Sequence, residues 1–257
     1  MKKLIVVVTV VAVALIINVA LYHEQKVPVL GYHSFYKDAS EVVDGSDLEN
    51  DIAEFEKQIS YLAKHHYKSL TLDEFYEWKK GNINIPRKSV LITMDDGYLS
   101  NYMYAFPILK KYNMSAVVFF VGKNAESGVT EGNINDWMSL ELIQKCKEEY
   151  PNIEFQSHSY DMHDKKVTDL SLEEIRVDIN KMGEIKDFKY YAYPFGLYDN
   201  NIKDELKNNG YNLAFGFGPG KEYRKARRND DDYVIPRLNI SNNMSFAKFL
   251  LRLYMPF

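Results

Sequence analysis

A single cysteine, Cys146, leaves the chain no internal disulfide, so packing must hold the fold. That is tolerable at 257 residues, a length that fits one larger α/β domain or at most two small ones. Positive charge is not in excess. The 32 lysines and arginines face 36 acidic residues, for a formal charge of −4, and no nucleic acid is expected as a partner. Low-complexity tracts and internal repeats are lacking as well. What is present is the composition of a folded protein, 46% hydrophobic and 26% charged, with 20 tyrosines and 14 phenylalanines. Such rings can stack on sugars, although core packing is their commoner use.

The N-terminus stands apart. Lys2 and Lys3 precede an apolar run at 4–21 whose only polar members are Thr9 and Asn18. The run is long enough to cross a bilayer as a helix, with the lysines on the cytoplasmic side. A cleaved signal peptide is the rival, but no clear small-x-small site precedes His23. With Cys146 far away, lipoprotein-type acylation here is excluded. Residues 1–22 are thus expected to form one N-terminal transmembrane helix, and residues 23–257 an extracellular catalytic domain held at the cell membrane. Cleavage would instead release a secreted or wall-associated form.

From Gln25 onward, short β-like runs alternate with amphipathic helical patterns. Strands are expected at 27–32, 88–93, 115–121, 153–156, 189–193 and 211–215, and at 234–240 with an interruption at Pro236. Helices are expected at 50–65, 105–112, 139–149, 200–208 and 245–254. Two more open on capping boxes, Thr71 with Glu74 and Ser171 with Glu174. The basic run at 224–228, followed by Asp230, Asp231 and Asp232, is expected as a solvated loop. Strand and helix alternate along most of the length, which favours an α/β fold with a mostly parallel sheet, closed into a barrel or doubly wound.

Placed on this pattern, the chemically capable residues fall together. Asp95 and Asp96 follow the strand at 88–93, His158 and His163 the strand at 153–156, and His33 the first strand. Tyr193-Pro194-Phe195-Gly196 ends the strand at 189–193. These are C-terminal strand ends, where parallel α/β folds assemble active sites. One carboxylate with two imidazoles is a complete protein ligand set for a catalytic divalent metal. The second carboxylate is then free to act as a base toward water. Asp-Gly alone is ordinary turn chemistry, but two adjacent carboxylates repel and need a cation or a shared proton. His158 and His163 do not share a helix face and can converge only from an irregular loop. Gly196 permits close approach of backbone to a ligand, and an N–H of this turn could face a developing oxyanion. By themselves, His33 and the turn fit structural roles equally well.

These residues carry a family resemblance. Thr93-Met94-Asp95-Asp96-Gly97 resembles the first motif of the polysaccharide deacetylases, the carbohydrate esterase family 4 or NodB-homology group. His158-Ser159-Tyr160-Asp161-Met162-His163 resembles the second motif and Tyr193-Pro194-Phe195-Gly196 the third, and the likeness runs from about residue 27 to 240. It implies a distorted (β/α) barrel. Asp95 would be the base, and Asp96, His158 and His163 would bind one divalent metal: zinc, or alternatively cobalt, nickel or iron. The backbone N–H of Phe195 would line the oxyanion hole, with Tyr193, Pro194 and Gly196 beside the substrate. Three departures stand out: the two histidines lie one residue further apart than in many relatives, Ala192 replaces the usual arginine, and no Leu-x-x-His motif occurs near the C-terminus. With Gly31-Tyr32-His33-Ser34, these features resemble a permuted branch that deacetylates poly-β-1,6-N-acetylglucosamine of biofilm matrix. That branch implies His33 as the general acid, and Arg237 is the candidate for the missing arginine that orients Asp95.

The expected activity is therefore metal-dependent hydrolysis of N-acetyl groups on an extracellular polysaccharide, by a protein expected to be monomeric and to touch the membrane through residues 1–22. A peptidoglycan or chitin-oligomer deacetylase is the nearest alternative. Two histidines and a carboxylate also describe non-haem iron oxygenases, but an oxygenase has no use for a base such as Asp95 beside the ligand. An inactive sugar-binding module would be expected to have lost a member of the set, and none is missing.

Overall fold

The computed structural model describes residues 25–42, 47–217 and 224–255. The expected transmembrane helix lies outside these residues, and among them no helix is long and apolar enough to cross a membrane.

Pro28 has no N–H for a sheet and divides the first expected strand into β1 (Lys26–Val27) and β2 (Val29–Tyr32). β3 (Ser34–Tyr36) pairs with β4 (Glu49–Asp51), so Asn50 belongs to a strand rather than to the helix expected there. That helix, α1 (Ile52–Lys64), starts after Asp51, whose carboxylate accepts the Ala53 N–H. β5 (Lys68–Ser69) leads into α2 (Leu72–Lys80), opened by the Thr71–Glu74 capping box. β6 (Ser89–Asp96) is longer than expected. Asp95 and Asp96 are its last two residues instead of following it. A π-helical turn over Asn101–Ala105 precedes α3 (Phe106–Lys111), where Pro107 cannot donate to the preceding turn.

Then come β7 (Ala116–Phe120), α4 (Gly122–Glu126), α5 (Leu140–Glu149) and β8 (Ile153–Ser157). They are followed by α6 (Leu172–Ile185), β9 (Tyr190–Ala192), α7 (Asn200–Asn208) and β10 (Leu213–Gly216). The described chain finishes with β11 (Ala226–Arg227), β12 (Ile235–Pro236), β13 (Leu238–Asn239) and α8 (Phe246–Tyr254). The basic run is not the solvated loop expected. Ala226 and Arg227 pair antiparallel with β1, and buried Lys225 donates to the Leu253 carbonyl.

The main sheet is parallel, in the order β12-β10-β9-β8-β7-β6-β2-β13. Only Arg237 separates β12 from β13, so both ends of that order are one stretch of chain and the sheet curls into a nearly closed barrel. The expected interruption at Pro236 thus falls one residue later. Between β8 and β9 the pairing is reduced to Ser157 with Tyr191, which distorts the ring.

Strand alternation sorts apolar side chains into two layers. Leu30, Tyr32, Ile92, Met94, Val118 and Phe155 pack outward against the helices. Val29, Leu91, Val117, Phe119, Leu213 and Phe215 fill the interior. α2 follows β5, which pairs with the first residues of β6, and so it closes the end of the barrel where strands begin. It adds Leu72, Phe75 and Trp78 to the interior cluster, each contributing roughly 1.5–3 kcal/mol of burial.

Candidate functional site

The same alternation assembles the opposite end. The inward row of β6 runs Leu91, Thr93, Asp95, and that of β2 runs Val29, Gly31 and on to His33. β8 continues inward to His158, the closing segment carries Ile235 and Arg237, and β10 carries Leu213, Phe215 and Phe217. Groups from five stretches of sequence therefore project into one mouth.

Backbone strain collects in the same place. Among the described residues, positive φ at a non-glycine position occurs at Asp96 (69°), Ser159 (73°), Phe195 (56°), His66 and Asn113. His66 and Asn113 simply follow helix ends, an ordinary site for the left-handed conformation. The other three lie one in each of the three motifs, where such strain persists only because surrounding structure enforces it.

Asp96 Oδ1 lies 2.9 Å from His163 Nε2 and 3.3 Å from His158 Nε2. One ligand atom from each of the three residues lies within 4.8 Å of the others. His158 Nδ1 is 2.8 Å from the Ala192 carbonyl, which can only accept, so Nδ1 carries the proton and Nε2 presents its lone pair to the cluster. Asp96 Oδ1 is buried yet accepts no well-formed hydrogen bond. A buried carboxylate oxygen left open between two imidazole nitrogens fits a divalent cation, and these three residues could hold one. Burial works against ionising Asp96, but the contacts from His158 and His163 win and hold its carboxyl well below the ordinary range. The loop carrying His163 is fixed by Asp178 of α6, which accepts the N–H groups of Tyr160 and Asp161 at 2.9 and 2.6 Å.

Asp95 is held differently. Arg237 grips both of its oxygens, Nη1 to Oδ1 and Nη2 to Oδ2, each at 2.7 Å. Both side chains are at most 1% exposed. Burial pushes the Asp95 carboxyl up, but Arg237, His158 and His33 outweigh it and leave it below its ordinary value. His33 Nε2 stands 3.8 Å from Asp95 Oδ2. Burial lowers the His33 pKa, only partly opposed by the charges of Asp95 and Asp96.

The third motif forms a tight turn, with the Gly196 N–H bonded to the Tyr193 carbonyl at 2.8 Å. Pro194 has no N–H, so Phe195 carries the first N–H of the turn; the residue is 55% exposed, and its ring stands 5.0 Å from that of His163. Tyr193, expected beside the substrate, points its side chain the other way. Its hydroxyl donates to the Tyr233 carbonyl within the outer layer, because the neighbouring Ala192 takes the inward position. Sequence reasoning missed Asp178, which gives no local signal. It also missed Phe217, which the alternation Leu213, Phe215, Phe217 could have placed on the inward row.

Comparison with known proteins gives the chain a family and a fold. The polysaccharide deacetylase family matches residues 82–214. The poly-beta-1,6-N-acetyl-D-glucosamine N-deacetylase of Staphylococcus aureus (strain MRSA252) is 35% identical over 207 residues, covering 74% of this chain and 67% of that protein. The structure of IcaB from Ammonifex degensii matches with a TM-score of 0.71 and 25% identity, over 90% of this chain and 98% of that one. The Streptococcus pyogenes deacetylase PplD, in complex with acetate, matches with a TM-score of 0.77 over 90% of this chain and 100% of that one. At 21% identity, that last likeness bears on the fold alone.

Proposed function

This chain belongs to the polysaccharide deacetylase family, and we propose that it removes N-acetyl groups from extracellular poly-β-1,6-N-acetyl-D-glucosamine. That it is an N-deacetylase follows from the family and from its named relatives; the linkage is drawn from its similarity to the staphylococcal enzyme. The observation that carries the chemistry is the division of labour between adjacent carboxylates. Arg237 takes both oxygens of Asp95, while His158 and His163 converge on Asp96.

Asp96, His158 and His163 would hold one divalent ion, zinc by the character of the donors, which when bound supplies a Lewis acid for the acetyl carbonyl and the attacking water. Asp95, kept ionised by Arg237, receives a proton from that water through Oδ2, the oxygen nearest both His33 and His158. The Phe195 N–H donates to the oxyanion as it develops. His33 protonates the leaving amine as the C–N bond breaks, yielding acetate and a free amino sugar. Burial lowers the His33 pKa and so favours release of its proton, while the charges of Asp95 and Asp96 work the other way and favour the protonated ring that the step requires.

Catalysis takes place outside the cell, with residues 1–22 holding the protein at the membrane; this reading is supported by the apolar run at 4–21 and the lysines before it. Acetate release from β-1,6- and β-1,4-linked GlcNAc oligomers, with and without chelator, tests the assignment. Release should favour the β-1,6 oligomer and stop on exhaustive chelation. Preference for the β-1,4 oligomer would move the substrate to peptidoglycan or chitin, and full activity after chelation would remove the metal from the reaction.

A further inference from the structure

Two of the groups given roles above each leave one buried nitrogen without a hydrogen-bond partner. His33 Nδ1 is buried and has no hydrogen-bond partner, and Arg237 Nε is likewise buried and unpartnered. A functional histidine is ordinarily oriented by a bond to its second nitrogen. Here packing must orient His33, while Arg237, already held by its two bonds to Asp95, is covered on its face; one ring serves both groups. Phe217 lies face-on to Arg237, with the guanidinium carbon 4.1 Å from its ring centroid. The same ring runs nearly parallel to that of His33, at 23° and 6.3 Å between centroids.

Space has been cleared for Phe217 at two glycines, for its ring at Gly31 and for its backbone at Gly196. An ideal Cβ on Gly31 would stand 2.6 Å from Phe217 Cζ, so any side chain there would displace the ring. A Cβ on Gly196 would stand 2.5 Å from the Phe217 backbone N and 2.7 Å from its Cβ. Gly196 is the residue after Phe195, so the turn bearing the oxyanion N–H rests on Phe217 from the other side. One residue thus stacks on the arginine that grips the base, faces the acid at 6.3 Å between ring centroids, and packs against the oxyanion turn.

We infer that Phe217 is a positioning residue for deacetylation: its ring sets His33 and Arg237, and its backbone seats the Phe195 turn. The inference rests on the roles given above to those groups. It also explains why an inward row that is apolar along β10 continues with an aromatic residue at a charged mouth.

The test is a double-mutant cycle on the full chain, with metal content and thermal unfolding measured for every variant. Phe217→Leu keeps apolar bulk but loses the flat face. It should retain metal and lower kcat for the N-acetyl oligomer by about 10²-fold, the scale of loss from small misplacements, with KM unchanged. Combined with His33→Ala or Arg237→Lys, its loss should be much smaller than the product of the single losses, because the variants disturb one arrangement. A purely structural role predicts losses that multiply. Gly31→Ala, which displaces the ring without removing it, should reproduce the Phe217→Leu loss and keeps the test decisive if that variant folds poorly. Full kcat in either variant, or multiplicative losses, overturns the inference. An activated acetate ester run in parallel reads Phe217 through Arg237 and Phe195 even if no GlcNAc polymer is a substrate, so failure of the polymer assignment remains distinguishable.

Discussion

The two ends of the barrel are built from the same strands to opposite specifications. Where the strands begin, Leu72, Phe75 and Trp78 of α2 seal an apolar interior, and buried Lys79 is satisfied by the carbonyls of Arg227, Arg228 and Asp230. Where the strands end, the mouth gathers two carboxylates, three histidines and an arginine, with left-handed backbone at Asp96, Ser159 and Phe195. The first end is apolar almost throughout, although Trp78 Nε1 is a buried N–H without a partner, whereas the second crowds charged groups and left-handed backbone into one small volume. Local rules fail where a protein holds groups for chemistry, and the well-packed end supplies the stability that lets them fail.

Substitutions at the two ends should therefore separate activity from stability. The largest effect is expected at the mouth. Asp95→Asn should retain metal and lose roughly 10²–10⁴-fold in kcat, since the amide cannot take a proton from water. Asp96→Asn should lose metal as well. Metal analysis beside acetate release checks this, and metal lost from the Asp95 variant but kept by the Asp96 variant would reverse the two roles. At the sealed end the signs invert. Phe75, fully buried, should destabilise by about 3–5 kcal/mol as Phe75→Ala in denaturant titrations, with kcat per folded molecule intact. A loss of kcat without a loss of stability would break the comparison.

Asp178 tests the connection between the mouth and its support. Asp178→Asn removes one of two acceptors holding the His163 loop and should weaken metal binding by about 10–100-fold, as such supporting groups commonly do. Metal titration followed calorimetrically would measure it, and wild-type affinity would show that the loop holds itself. The smallest effect is expected from Thr71→Ala, which removes the α2 cap, costs about 1 kcal/mol, and leaves both metal affinity and kcat unchanged.

Much of this organisation was legible in the chain because it is encoded at short range. The capping boxes at Thr71–Glu74 and Ser171–Glu174 are both formed, since their partners lie three residues apart. The strand runs around Asp95 and His158 stood out by apolar composition, and their order already placed the motif residues at strand ends. Boundaries were less accessible. Asn50 fits a helical pattern, yet it pairs with Phe35 in a parallel strand that no local signal announces.

By itself the sequence determined the alternation of strands and helices, and with it a mostly parallel fold whose strand ends collect Asp95, Asp96, His158, His163 and His33. Tertiary structure alone decided which of these groups meet, and how. Arg237 reaches Asp95 across 142 residues of chain, at the point where β12 gives way to β13 and the barrel closes. Phe217 becomes a shared wall for Arg237 and His33 only because the last strand returns beside the first. Periodicity and capping act over a few residues and leave their mark in local sequence, whereas ring closure and the register of distant strands depend on the free energy of the whole barrel, which no short stretch records.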